Sequence, residues 1–397
     1  MLKIFANKNP SGVLDYNNSS KEFIFNYTHD NPISLTMPYS SKSYLSYYHL
    51  HPIFDMSMPE GYLFELLKNL LIKEYGEIDD FLLFSHLSRS IEGYLTYSND
   101  AESSNRVFEL EEILEDKEGN LFAHLVENFL HQSAIAGVQP KVLAQLKEKT
   151  TLSTRAYIVK SFSQEYPHLA ENEYFCMRAL NYAGVVTPKF WLSKSKKLFI
   201  MEKFTYKKGD DSFYGFEEFC VLFGFNKEKK YSGSYEQVAK AIAKISTQKE
   251  QDLRAFFKMT VLNYLLKNGD AHLKNFGVLY TADKKERFLA PAYDVVNTVI
   301  YLPKDKPALM LGGKKVWLNQ EELLFFGTNF CLLNRKEATD EFNICLEAVK
   351  LIRQEIVEYI PNNPNFRAFG EKFLKILDFS LSENLTKTYK DVSDGVL

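Results

Sequence analysis

From Met1 to about Ser98, apolar and polar residues alternate in short runs. In KEFIFNY the rings of Phe23, Phe25 and Tyr27 fall on one face of a strand, and NPSG and HDNP mark turns between such runs. Leu63, Leu66, Leu67, Leu70 and Leu71 then recur at helical spacing in MPEGYLFELLKNLLIKEYG, which predicts a helix there. The pattern is that of a small mixed α/β domain over residues 1–98. Residues 99–120, NDAESSNRVFELEEILEDKEGN, are acidic and poor in apolar positions, and are expected to form a linker.

Between residues 121 and 207 the extended runs RAYIVK and KLFIMEKF flank one helical stretch, HLAENEYFCMRALNYAG. Its Gly184 stands where a left-handed C-terminal cap is needed. The remainder, 208–397, is mostly helical in pattern: GFEEFCVLFGF, SYEQVAKAIAKIS, DLRAFFKMTVLNYLLKN and two stretches beyond Thr339. In the third of these, Leu253, Phe256, Phe257, Val261, Tyr264 and Leu265 share one helical face, and Asn268 with Gly269 is expected to end the helix.

At 397 residues the chain exceeds what a single growing core accommodates, which agrees with several domains. A formal charge of -3 lacks the net basic field that accompanies direct nucleic-acid binding. Cys176, Cys220, Cys331 and Cys345 are too far apart for a metal-binding pattern and read as buried, reduced thiols. No apolar run is long enough to span a bilayer and the N-terminus lacks a secretory leader, so a cytoplasmic chain without membrane association is expected.

The densest chemistry lies in NYLLKNGDAHLKNFGVLY, where polar residues are packed between a helix and a strand-like run. Asp270 and Asn275 have the spacing of a protein-kinase catalytic loop. There a short carboxylate accepts the proton of the attacking hydroxyl, and a neutral amide oxygen serves as a hard metal ligand. Lys274 stands where it can meet the transferred phosphoryl group. Asp294 in RFLAPAYDVVNT follows an extended run, as the second magnesium ligand of a kinase does. Lys160 ends RAYIVK and Glu173 lies on the next helix, matching a strand lysine and its helix carboxylate, with Glu171 as the rival. SAIAGVQPK is a candidate phosphate-covering loop, with Ala136, Gly137, Val138, Gln139 and Lys141 near the nucleotide. Glu202, Lys203 and Phe204 are candidates for an adenine-binding hinge, and His272 for a place beside the cofactor. A P-loop sequence is absent.

These segments together resemble the HipA-like serine/threonine kinases, the toxin components of bacterial toxin-antitoxin modules. GDAHLKNFGV and LAPAYDVV resemble the family's catalytic loop and magnesium motif. SAIAGVQPK resembles its phosphate loop, ENEYFCMRAL its acid-bearing helix, and ISLTMP and FDMSMPEGYL its N-terminal domain. The resemblance runs from about Gly12 to Tyr301. It implies an α+β, two-lobed protein-kinase-like fold: a small mixed N-terminal domain, a β-rich nucleotide lobe and a helical C-terminal lobe. It also implies use of ATP and Mg2+, with Asp270 as base, Asn275 and Asp294 as metal ligands, Lys160 on phosphate and Glu202–Phe204 as hinge.

Members phosphorylate an aminoacyl-tRNA synthetase and are restrained by a HipB-like helix-turn-helix antitoxin, through which they meet DNA indirectly. The resemblance leaves room for a catalytically silent regulatory subunit or a small-molecule or lipid kinase on the same scaffold. It is broken at Ala134 and Ala136, where the family usually carries an autophosphorylated serine at one or both positions. Alanine cannot take up the roughly -1.5 to -2 charges of a phosphoryl group. An autophosphorylation switch is therefore expected to be missing at these positions, whether by nature or by engineering.

Overall fold

The computed structural model describes residues 1–58, 64–65, 67–69, 71–72, 76, 78–98, 109–117, 121–132, 150–154, 156–161, 165–207 and 209–393. The chain divides into two compact units. The first comprises Met1–Ala170, Lys189–Lys230 and Gly277–Lys285, and the second Glu171–Pro188, Tyr231–Phe276 and Glu286–Leu397.

The first unit begins with an antiparallel sheet of β1 (Leu2–Ala6), β2 (Asn9–Asn17), β3 (Glu22–Tyr27), β4 (Tyr44–Tyr47) and β5 (Leu95–Ser98), in the order β4-β3-β2-β1-β5. The alternation read in β3 is realised: Phe23 and Phe25 are buried, and Phe25 lies opposite Leu14. Helices α1 (Pro52–Asp55) and α2 (Asp80–Leu87) cover this face with Ile53, Phe54, Leu83 and Phe84. The predicted helix over MPEGYLFELLKNLLIKEYG falls largely outside the described residues, although Leu67 and Leu71 are buried.

Of the expected linker, residues 99–108 and 118–120 lie outside the described residues. Leu110–Leu114 is a short helix, α3, that buries Ile113 in the same core, so this part is a packed element. Helix α4 (Leu121–Gln132) follows. A second antiparallel sheet, β6 (Thr150–Ser153), β7 (Tyr157–Ser161), β8 (Phe190–Leu192) and β9 (Leu198–Glu202), has the order β6-β7-β9-β8.

Three departures from the sequential reading stand out. The segment between β7 and β8 forms helix α5 (Leu169–Tyr182), which belongs to the second unit apart from its first two residues. Beyond β9 come the short pair β10 (Tyr206–Lys207) and β11 (Ser212–Phe213). Finally, GFEEFCVLFGF, expected to be helical, opens with a strand, β12 (Gly215–Glu218), before the one-turn helix α6 (Phe219–Leu222). The strand forms because β13 (Gly277–Tyr280) pairs with it antiparallel, Glu217 opposite Val278, a long-range contact that local pattern does not reveal.

Among its described residues the second unit is mainly helical, with the short strand β14 (Arg287–Leu289), an irregular stretch over 290–319, and helices α7 (Tyr235–Ile245), α8 (Lys249–Leu265), α9 (Gln320–Phe330), α10 (Arg335–Tyr359) and α11 (Arg367–Ser393). Three starts are capping boxes written in the sequence: Ser234 with Gln237, Asn319 with Glu322 and Asn334 with Glu337. Gly184 takes the left-handed position after α5 (φ 67°), and Val185 N–H reaches back to the Leu180 carbonyl, as the sequence indicated.

The face predicted for α8 is buried, but so are Met259, Thr260, Leu262 and Asn263. The helix is central and enclosed on most sides. Phe256 packs with Tyr235, Phe276 and Phe326 in an aromatic cluster. On the other side Arg254 and Lys258 pair with Glu337 and Glu341 of α10.

Candidate active site

The site is built at the C-terminal end of α8, and its geometry starts with how that helix stops. Asn268 N–H bonds the Asn263 carbonyl at 2.8 Å and Lys267 N–H the Tyr264 carbonyl at 3.3 Å. These are the two bonds of a Schellman cap with Lys267 at the left-handed position (φ 55°). The terminator is thus Lys267, one residue before the Asn-Gly pair that the sequence pointed to. Helix α8 is held immobile by its buried surroundings, so the residues after the cap leave from a fixed point.

Side chains then pin each loop residue. The Asn268 amide bonds Asn263 Oδ1 at 2.8 Å, and Asn268 Oδ1 accepts the Asp270 N–H at 3.1 Å. Thr298 Oγ1 accepts the Gly269 N–H at 2.8 Å and donates to the Lys267 carbonyl at 3.2 Å. The Asp270 carboxylate, two-fifths exposed, accepts from the Tyr231 hydroxyl at 3.0 Å and lies 3.9 Å from His272 Nε2. The Tyr231 ring stands edge-on to the His272 imidazole, with centroids 5.2 Å apart.

The far end of the loop closes on the second acidic residue. Asn275 Oδ1 accepts the His272 N–H at 3.0 Å, while its Nδ2 donates to Asp294 Oδ2 at 2.7 Å. Asp294 is itself left-handed (φ 58°), a conformation Asp tolerates better than most residues. The Tyr293 hydroxyl donates to the Lys274 carbonyl at 2.7 Å, and Asp252 Oδ2 receives the Leu289 N–H, which fixes β14 at the base of this segment. Asp270, His272, Asn275 and Asp294 are therefore one bonded chain of contacts.

The donor set fits a hard divalent cation. Asn275 brings an amide oxygen, bonded here to the His272 N–H, and its amide nitrogen ties it to the Asp294 carboxylate, so one neutral and one anionic oxygen donor stand on adjoining side chains. Among the described residues, no cluster of three or more His, Cys, Asp or Glu side chains would hold a metal by itself. Such a carboxylate-poor pair suits magnesium, which draws its other ligands from phosphate and water.

Helix α5 presents two buried carboxylates. Glu171 is engaged by the Tyr359 hydroxyl at 2.7 Å. Glu173, fully buried, lies beside Asn172, whose amide bonds both backbone groups of Asn297: Nδ2 to its carbonyl at 2.9 Å and Oδ1 from its N–H at 2.8 Å. In the first unit Lys160 is buried on β7 opposite Phe199, over whose ring its ammonium lies at 5.8 Å. At the end of β9 the Lys203 N–H is taken by the Ala156 carbonyl at 2.7 Å, and the Lys203 amine by the carbonyls of Glu92 and Thr154. Phe204 packs edge-on to Phe216. Ala134, Ala136, Gly137, Val138, Gln139 and Lys141 lie outside the described residues.

Sequence reasoning did not find Tyr231, Asn263, Asn268 as a brace, Lys267, Tyr293 or Thr298. Asn263 and Asn268 had a usable signal, since polar amides at the end of a buried helix need partners. Tyr231 and Thr298 reach the loop from 39 and 29 residues away, and local pattern carries no trace of that.

A family model for the HipA-like C-terminal domain matches residues 133–360, and one for the HipA N-terminal domain matches residues 2–98. Two relatives carry "Putative kinase" in their names. One, from Haemophilus influenzae, is 30% identical over 186 residues, which is 42% of this chain and 53% of that protein. The other, Y4dM of Sinorhizobium fredii, is 26% identical over 330 residues, 75% of this chain and 77% of its own. The chain thus spans about half the length of the first relative. Among solved structures, HipA in the Shewanella oneidensis complex of HipA, HipB and operator DNA matches with a TM-score of 0.67. Its identity is 17%, and the match covers 96% of this chain and 98% of that one. The fold is that of HipA.

Proposed function

The chain belongs to the HipA-like family, and from that premise we propose that it is an ATP-dependent serine/threonine protein kinase that arrests growth and is held in check by a HipB-like antitoxin. The observation that carries the reading is the 2.7 Å contact between Asn275 and Asp294, on a loop whose other end holds Asp270. A pure binding module has no need of a braced carboxylate beside a second carboxylate tied to an amide.

In this reading the substrate hydroxyl is oriented by Asp270. Its oxygen attacks the γ-phosphorus of ATP, the bond to the β–γ bridging oxygen breaks, and the hydroxyl proton passes to the Asp270 carboxylate. Tyr231, donating to Oδ1, leaves Oδ2 for that proton. Lys274, half-buried on the loop, offsets charge on the moving phosphoryl group. Asn275 and Asp294 would hold a magnesium ion, which when bound neutralises the charge of the phosphates. By the resemblance, Lys160 is assigned to the nucleotide phosphates, Glu202–Phe204 to adenine, and Glu173, His272 and the Ala136–Lys141 segment to the cofactor's surroundings. The protein substrate proposed is an aminoacyl-tRNA synthetase. The HipB-like partner is supported by the partner of the Shewanella HipA. Among the described residues no helix is long and apolar enough to cross a membrane, which is compatible with action in the cytoplasm.

The test is transfer of labelled phosphate from ATP into proteins of a cell extract, comparing the chain with Asp270→Asn. Loss of a general base costs about 10²–10⁴-fold, so the variant should lose both transfer and growth arrest while still binding ATP. Undiminished growth arrest by the variant would mean a non-catalytic regulatory subunit instead.

A further inference from the structure

The helix cap at Lys267 faces a cavity of about 390 Å3 within the second unit. Its walls include Val299, Ile376, the indole of Trp317 and the ring of Phe379. The Lys267 ammonium sits 5.1 Å from the centroid of Trp317 and 5.8 Å from that of Phe379. Its carboxylate partner is Glu383, at 3.7 Å, and the two side chains are 10% and 51% exposed. Lys372 and Lys375 of α11 also line the cavity, giving three ammonium groups against one carboxylate.

Two features of Lys267 run against local preference. A non-glycine residue stands in the left-handed position, where glycine is favoured. Its ammonium is also largely withdrawn from water, with a half-exposed carboxylate as its counter-charge, and such pairs compensate burial poorly. Burial holds the Lys267 ammonium below the ordinary lysine range despite Glu383. Phe379, which lines the cavity, is 57% exposed. A cation between two aromatic walls, in a space toward the lower end of the roughly 300–1,000 Å3 usual for small-molecule sites, is a receptor for an anion with a flat apolar body.

We propose that this cavity binds a small aromatic carboxylate, its carboxyl group replacing Glu383 at Lys267 and its ring packing against Phe379 and the apolar wall of Val299 and Ile376. The ligand would touch the cap that precedes Asp270. The Lys267 carbonyl holds Thr298, and Thr298 holds Gly269. Occupancy therefore bears on the loop, but binding itself does not depend on the kinase reading.

The test is calorimetric titration of the full chain with 2-naphthoate, beside its neutral amide and inorganic phosphate. Saturable binding of naphthoate is expected, at least about 10-fold tighter than the amide and than phosphate, because a charged partner is lost in one and the apolar body in the other. Lys267→Met should weaken naphthoate about 10-fold or more, and Lys267→Arg should retain it within a few-fold. Phe379→Ala, at an exposed position, should weaken it as well. Absence of saturable heat, equal affinity for acid and amide, phosphate binding as tightly as naphthoate, or an unchanged affinity in both Lys267→Met and Phe379→Ala would overturn the proposal. Because the readout is binding alone, its failure is distinct from failure of phosphoryl transfer.

Discussion

Gly269 precedes the proposed base, and its role is to leave room. A Cβ added there would lie 2.0 Å from Asp305 Oδ2, 2.5 Å from Asp305 Cγ and 2.8 Å from Thr298 Oγ1. For Gly269→Ala to fit, the first gap must open to the 3.4 Å of ordinary contact, a relative displacement of about 1.4 Å. Asp305 can yield part of this by rotating its carboxylate. Thr298 cannot yield easily, because its hydroxyl is tied to both Gly269 and Lys267. The loop itself must therefore shift. Overpacking of this kind costs about 1–3 kcal/mol of stability, and misplacing a reacting group by about 1 Å costs on the order of 10²-fold in rate. Gly269→Ala should thus lower the turnover of phosphate transfer by about 10–100-fold, with little change in the KM for ATP. Adding Asp305→Ala removes the nearest obstruction and should recover part of the loss, a coupling of roughly 1–2 kcal/mol in a double-mutant cycle. Full activity in Gly269→Ala, or strict additivity with Asp305→Ala, would refute the argument that space at this glycine sets the position of the base.

Four further outcomes are expected. Tyr231→Phe removes one hydrogen bond to Asp270 and should reduce turnover by about 2–10-fold in the same assay, consistent with roughly 0.5–1.5 kcal/mol; a loss as large as that of Asp270→Asn would make Tyr231 the catalytic group instead. Asn275→Ala should raise the Mg2+ concentration needed for half-maximal transfer, and an unchanged Mg2+ titration would remove Asn275 from the ligand set. In the first unit, Glu217 is fully buried and accepts from Leu35 N–H and from both the N–H and the hydroxyl of Thr36, so Glu217→Ala should cost about 3–5 kcal/mol in denaturant unfolding. Burial lowers the His51 pKa from 6.5 to about 4. The unfolded chain therefore binds the extra proton first, and stability present above pH 6.5 is lost as pH falls toward 4, by up to about 3 kcal/mol. His51→Gln should flatten that part of the pH-stability curve, and an equal slope in both proteins would contradict it.

Asp270, Asn275 and Asp294 stood out in the sequence by type and spacing, and the structure brings Asn275 and Asp294 into contact. The strand β3, the cap at Gly184 and the capping boxes were legible because their determinants are local. What escaped was non-local or against propensity. Strand β12 exists through a partner some sixty residues on. Helix α8 is buried nearly all round, and a one-faced apolar pattern is compatible with either environment. A lysine in a left-handed cap has no signature in sequence, since glycine is the residue that advertises one.

The paired amide bridge from Asn172 to Asn297 bears on how a kinase of the proposed kind would be switched. Many kinases are silenced by swinging out the helix that bears the conserved acid. Here, rolling α5 would strand four polar groups in a dry interior, at roughly 1–3 kcal/mol apiece. That cost makes a latch of the helix, so ligands seeking a helix-out state should find little purchase on it.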